Sequence, residues 1–149
     1  MDCNVAIVGA GLVGASLAVA LGRAGLEVAL VEPAPPAPPG DEWDGRVYAI
    51  SPASRAFLDE LEAWNALDAR RIQPVARMAV FGDTRDSRLE FSAYDAGVAT
   101  LAFILESGRL AHALWQRLAR HEHVRRIAAV RCERLEVDAD RAALVLEGG

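Results

Sequence analysis

Val5-Ala6-Ile7-Val8-Gly9-Ala10-Gly11-Leu12-Val13-Gly14 sets four apolar residues directly before a G-x-G-x-x-G turn. Ala15 to Ala24 then carries helix formers, with Leu17 and Leu21 predicted on one face, and Glu27 to Val31 reads as a second strand ending at Glu32. Each part has a physical role. Gly9 permits the tight turn, Gly11 lets the backbone approach a pyrophosphate, and Gly14 lets the helix pack close to the strand. Ala10 and Val13 complete the same turn. The helix start presents free N–H groups and a positive dipole end to phosphate oxygens. Glu32 follows Gly14 by 18 residues, near the spacing of about 20 at which an acid reaches the ribose hydroxyls of a dinucleotide. Its charge would repel a 2′-phosphate. Strand, turn, helix, strand and acid in this order predict a site for an adenine dinucleotide.

The composition bounds the remaining readings. A chain of 149 residues with 52% hydrophobic content can bury a core, and its length suits one domain or one and part of another. The net charge of −5 gives no basis for a nucleic-acid surface. Cys3 and Cys132 form neither a disulfide framework nor a zinc spacing, which fits a reducing, cytoplasmic setting. The apolar start is broken by glycines and lacks a basic leader, so a signal peptide or membrane span is not expected.

Beyond Glu32 the pattern changes. Pro33 to Gly40 holds five prolines and reads as an extended, solvated connection. Asp41 to Tyr48 reads as irregular. Ser51-Pro52 forms an N-cap and first helical residue, with Phe57, Leu58, Leu61 and Trp64 at helical spacing as far as Asn65. Val75 to Phe81 and Arg88 to Phe91 predict a hairpin across Gly82-Asp83-Thr84-Arg85-Asp86. Leu101 to Leu105 is a strand, and Ser107 caps a helix to about Arg120 with Leu110, Leu114 and Leu118 on one face. Ile127 to Val130 is a short strand, and Arg131 to Val137 pairs with Ala142 to Glu147 around Asp138-Ala139-Asp140. A βαβ unit followed by hairpins predicts an α/β fold. It would be a Rossmann-like domain with a central parallel sheet, into which part of an antiparallel sheet is inserted.

Three further blocks carry a family resemblance. Arg46-Val47-Tyr48-Ala49-Ile50-Ser51-Pro52-Ala53-Ser54 resembles the R-x-x-A-L-S-x-x-S segment of FAD-dependent aromatic hydroxylases, the para-hydroxybenzoate hydroxylase-like enzymes. Phe57-Leu58 with Leu61-Glu62-Ala63-Trp64 resembles the L-x-x-L-G-x-W of the ubiquinone-biosynthesis branch. Leu105-Glu106-Ser107, with Leu110 and Ala113-Leu114-Trp115-Gln116-Arg117, resembles its V-E-N-x-x-L-x-x-A-L-x-x-R helix. The resemblance implies FAD as cofactor, NAD(P)H as transient reductant, dioxygen as co-substrate and a small aromatic, lipophilic substrate such as a prenylated phenol. It gives Gly9, Ala10, Gly11, Val13 and Gly14 the pyrophosphate turn and Glu32 the adenosine ribose. Arg46 would lie beside the flavin and its ribityl-phosphate arm, and the backbone of Cys132 would recognise adenine. Family members place Arg or Gln further along the third block. Here Gly108 and Ala111 stand there, which leaves Arg109 as a candidate cofactor contact.

The same resemblance divides the chain into a first part of an FAD-binding domain (1–71), the start of an inserted substrate-domain sheet (72–104) and a second FAD-binding part (105–149). Leu144 to Gly149 resembles the approach to the family's Asp-Gly motif, so the chain is expected to be the N-terminal part of a longer enzyme and inactive by itself. Peripheral association with the inner membrane or a biosynthetic complex, and a homo-oligomer, are the implied assemblies. Two other function classes stay open at this point: an NAD-dependent dehydrogenase or flavoprotein oxidase, and a non-catalytic nucleotide-binding or assembly module. Other polar residues read as structural. His121-Glu122-His123 lacks a third metal ligand, and His112 is expected partly exposed on its helix. Trp43, Trp64 and Trp115 read as packing residues, and Arg117, Arg120, Arg125 and Arg126 as a solvated basic face.

Overall fold

The computed structural model describes residues 2–84 and 87–148. It divides into two compact units, Met1–Pro39 with Leu110–Gly149, and Gly40–Arg109.

The first unit is built on a parallel sheet. β1 (Val5–Val8) and β2 (Val28–Glu32) flank α1 (Leu12–Arg23), and β8 (Val124–Ala128) joins the other side of β2. Registers of Val8 with Val31 and Glu32 with Ala128 align the C-terminal ends of all three strands. The centre of the sheet is apolar throughout: Val28, Ala29, Leu30 and Val31 are buried, as expected for a parallel strand flanked on both sides. β1 is an edge, and Val8 is 55% exposed. The helix face that packs is not the one predicted. Leu17 is exposed, whereas Ala15, Ser16, Ala18, Val19 and Gly22 are buried. Small side chains let α1 lie close to the sheet, and a Cβ on Gly22 would stand 2.5 Å from the Val124 side chain. The strand expected at 127–130 begins earlier, at Val124, and stops where Ala129 takes a φ of 59°. The expected hairpin of β9 (Cys132–Val137) and β10 (Ala142–Leu146) completes this unit, with Val137 opposite Ala142.

The second unit holds two antiparallel sheets. β3 (Val47–Ile50) and β4 (Gln73–Val75) flank β7 (Ala102–Glu106). β5 (Arg77–Phe81) and β6 (Arg88–Ser92) form the expected hairpin; Arg85 and Asp86 of its turn lie outside the described residues. Three local expectations change. Val47 and Tyr48 belong to β3 because they find partners in Glu106 and Leu105, far along the chain. The run 75–81 is split at Ala76, since Val75 pairs with β7 while Arg77 pairs with β6. α2 (Pro52–Glu60) is capped by the Ser51 hydroxyl but stops early. Glu62 takes a φ of 56°, its N–H and that of Ala63 fold back onto the carbonyls of Asp59 and Leu58, and only short helical turns follow, at Trp64–Ala66 and Ala69–Arg71. Such a left-handed exit satisfies the last carbonyls of a helix.

α3 (Ser107–Leu118) follows β7 without a break. Ser107 is its first residue rather than a preceding cap, and its N–H donates to the Arg46 carbonyl at 2.9 Å. Leu110, Leu114 and Leu118 are buried, as the spacing predicts.

Candidate functional site

The three aligned strand ends of the parallel sheet gather the residues singled out from the sequence in the first unit. Open α/β sheets bind ligands outside the carboxyl ends of their strands. Gly9 leaves β1 with a φ of +98°, a conformation that L side chains rarely adopt. Its N–H still donates to the Val31 carbonyl at 2.8 Å, so the turn stays stitched to β2. Gly14 is a close-approach position. A Cβ there would stand 2.1 Å from the Gly9 carbonyl oxygen, whereas a Cβ on Gly11 would meet nothing within 4 Å. Gly11 caps α1 in extended conformation with no side-chain hydrogen bond. The N–H groups of the first helical turn have no intrahelical acceptors, so they are offered to a ligand. Val13 is 82% exposed beside them.

Glu32 closes this arrangement. Its Oε2 accepts the Ala10 N–H at 2.6 Å, and its Oε1 accepts the Ala34 N–H at 2.8 Å. The carboxylate is therefore oriented by two main-chain donors. An ionised carboxylate has about four acceptor sites, so capacity for further donors remains. A carboxylate held against a glycine turn, beside an uncapped helix start, is the donor and acceptor set that a ribose and a pyrophosphate require. The residues present thus fit the adenosine and pyrophosphate portion of a dinucleotide. The Ala129 N–H donates to the Glu32 carbonyl at 2.9 Å, and Cys132 lies three residues further at the start of β9, half-buried.

Arg46 and Arg109 both lie in the second unit, in different situations. Arg46 is exposed, and its guanidinium has no hydrogen-bond or ion-pair partner among the described residues. Arg109 is committed: its Nε donates to Glu106 Oε2 at 2.8 Å and its Nη2 to the Gly40 carbonyl at 2.7 Å.

Sequence reasoning missed what lies between them. Glu106 has a side chain only 2% exposed, and besides Arg109 it accepts the Asp44 N–H at 2.8 Å. Arg71 Nε stands 3.7 Å from the same carboxylate. The Asp44 N–H, then Arg109 and Arg71, hold the Glu106 carboxyl below its ordinary pKa against the opposing effect of burial. Arg71 also donates to the carbonyls of Asp41 and Glu42, and its guanidinium lies 3.9 Å over the Trp43 ring. Trp43 is thus 70% exposed and covered by a cation, not packed in a core. Trp64 does pack, edge-on to Phe103 at 5.3 Å. Glu106 was visible only as one letter of a motif block; its pairing with Asp44 spans 62 positions, and no local pattern signals it.

Residues 2–41 match the family model described as an FAD binding domain. The chain is 36% identical over 123 residues to the 3-demethoxyubiquinol 3-hydroxylase of Escherichia coli, covering 81% of this chain and 31% of that protein. The chain is thus similar, along most of its own length, to FAD-dependent hydroxylases. A second relative, the ubiquinone hydroxylase UbiL of Rhodospirillum rubrum, is 30% identical over 147 residues, covering 98% of this chain and 34% of the relative. The chain therefore spans about a third of the length of the curated relatives it matches. Its fold is also that of p-nitrophenol 4-monooxygenase PnpA from Pseudomonas putida, with a TM-score of 0.69 at 20% identity over 97% of this chain and 35% of that structure. FAD is accordingly the cofactor that the family match assigns. Among the described residues, no helix is long and apolar enough to cross a membrane.

Proposed function

We propose that this chain holds the adenosine and pyrophosphate half of FAD in a monooxygenase that hydroxylates an aromatic ring, a prenylated phenol in ubiquinone biosynthesis. The observation that carries the reading is the Glu32 carboxylate bound to the Ala10 N–H beside the uncapped start of α1. Gly9, Ala10, Gly11, Val13 and Gly14 would hold the pyrophosphate through main-chain N–H groups, Glu32 would accept from the ribose hydroxyls, and the backbone at Cys132 would meet adenine. Arg46, exposed and unpaired, would supply a fixed cation to the flavin or its phosphate arm. Arg109, already bound to Glu106, would act on the cofactor through the loop it braces. The chemistry FAD supplies when bound is electron transfer from NAD(P)H and use of dioxygen on the ring. The protein's share is to orient that cofactor and exclude water.

The division into FAD-binding parts (1–71 and 105–149) around the start of a substrate-domain sheet (72–104) belongs to the same proposal. It is supported by the β5–β6 hairpin, which leaves Met78, Val80, Phe81, Leu89 and Phe91 exposed; a lone two-stranded sheet is marginal in water. We propose in addition that the full enzyme works in the cytoplasm, peripheral to the inner membrane where a lipophilic substrate would reside, in a biosynthetic complex or as a homo-oligomer. The test uses the full-length protein: flavin content by absorbance, then NAD(P)H oxidation with a prenylphenol and product mass spectrometry. Stoichiometric FAD with a product heavier by one oxygen supports the reading. NAD(P)H-dependent reduction or oxidation of a substrate without oxygen insertion overturns it in favour of a dehydrogenase or oxidase.

A further inference from the structure

The segment 40–46 has no hydrogen-bonded secondary structure of its own, yet it is tied down along its length. Glu106 accepts the Asp44 N–H; Arg109 donates to the Gly40 carbonyl; Arg71 donates to the carbonyls of Asp41 and Glu42. The Asp44 carboxylate accepts the Arg46 N–H at 2.9 Å, and the Arg46 carbonyl accepts the Ser107 N–H at 2.9 Å. Both arginines converge on one buried carboxylate, Glu106. A buried ionic cluster is a poor source of stability, because desolvation offsets the Coulombic gain, and an apolar replacement is often no worse. What such a cluster does supply is direction. Each of its outward bonds ends on main chain between Gly40 and Asp44, immediately before the unpaired cation Arg46.

We propose that Glu106, with Arg71 and Arg109 arrayed on it, is the positioning residue for Arg46, clamping the 40–46 segment so that the main chain bearing this guanidinium is held in place before the cofactor binds. The inference rests on the reading of Arg46 as a cofactor contact. The Glu106 carboxylate presents a single rigid template to three donors, and Gln at this position keeps the shape while removing the charge that gathers the two arginines. A cation carried on an ordered loop binds more tightly than one on a mobile loop, because the loop ordering is already in place.

The test is a double-mutant cycle in the full-length protein, read by FAD affinity from flavin fluorescence titration and by hydrogen exchange across 40–46. Glu106→Gln is expected to speed exchange at Asp44 and Arg46 and to weaken FAD binding about tenfold, the effect of losing one charge-assisted contact. With Arg46 already replaced by Ala, Glu106→Gln should weaken FAD no further, since coupled residues are non-additive. Arg71→Gln, which leaves Arg109 paired with the carboxylate, should show the same coupling and carries the cycle where Glu106→Gln does not fold. A folded Glu106→Gln protein with unchanged FAD affinity overturns the proposal. So does an equal loss in the Arg46→Ala background, which would make Glu106 a general brace. An Arg46→Ala protein that binds FAD normally brings down the cofactor reading of Arg46 and the positioning claim with it. That result is recognisable because exchange across 40–46 would still rise in Glu106→Gln.

Discussion

The turn at 9–14 and the segment at 40–46 are held by opposite means. The turn depends on missing side chains. Gly9 takes a left-handed φ, and Gly14 leaves room for the Gly9 carbonyl at a place where a Cβ would sit 2.1 Å away. The segment at 40–46 depends on side chains supplied from elsewhere in the chain, Arg71, Glu106 and Arg109, each bonding its backbone. A steric device fails all at once when an atom is added. An ionic device fails by degrees, as each partner is neutralised. The comparison teaches where each device is vulnerable, and it can be broken at several points.

The largest effect is expected at Gly14. Gly14→Val drives a branched side chain into the Gly9 carbonyl, so it should abolish bound flavin in the full-length protein. It should also lower stability by roughly 1–3 kcal/mol through overpacking, read by flavin absorbance and urea unfolding. Gly11→Ala, placed in open space, should change stability by less than about 0.5 kcal/mol yet still reduce FAD binding, because its Cβ occupies ligand space. Retained flavin in Gly14→Val would break the steric half of the comparison.

Glu32 comes next. Charge-assisted hydrogen bonds contribute about 1.5–3 kcal/mol each, so Glu32→Ala should weaken FAD by at least about tenfold at 1.4 kcal/mol per decade. Glu32→Gln, which keeps an acceptor for the Ala10 N–H, should lose less. Equal affinities for wild type and Glu32→Ala in a fluorescence titration would remove Glu32 from the site.

Two smaller effects depend on pH and have opposite sign. The Asp44 N–H and the two arginines lower the Glu106 pKa. Its contribution is therefore present above the ordinary glutamate value and is lost as pH falls through the lower folded value. Protection of the 40–46 amides, taken relative to their intrinsic base-catalysed exchange rate, should fall on acidification, and Glu106→Gln should flatten that dependence. In the first unit, His123 Nδ1 meets Glu27 Oε1 at 2.7 Å, and this hydrogen bond raises the imidazole pKa. That contribution is complete below the ordinary imidazole value and is lost as pH rises through the raised one. The pair is exposed and its effect small. Glu27→Gln should remove a shallow decline of the urea midpoint across neutral pH; an unchanged decline would assign it to another group.

The elements legible in the sequence are those whose cause is local. The β1 strand, the glycine turn, α1 and β2 were readable because φ requirements, close packing and apolar runs act within a few residues. The β5–β6 and β9–β10 hairpins were readable for the same reason. The misread places have distant causes. Val47 and Tyr48 look irregular until β7 supplies their partners. The run 75–81 looks like one strand until two different neighbours divide it. Leu17 looks like core, but the buried face of α1 is its small-residue side.

The sequence by itself therefore determined the dinucleotide turn, its acid at Glu32 and the class of fold, because these are written in residue type and spacing. Tertiary structure alone decided that the Glu32 carboxylate turns back onto the Ala10 N–H. It also decided that Arg109 is a brace, that Trp43 is a surface ring under Arg71, and that Glu106 is buried beneath the segment leading to Arg46. The physical reason is the range of the interactions. Steric and conformational rules act along the chain, whereas a buried charge must find its partners wherever folding brings donors within hydrogen-bond reach.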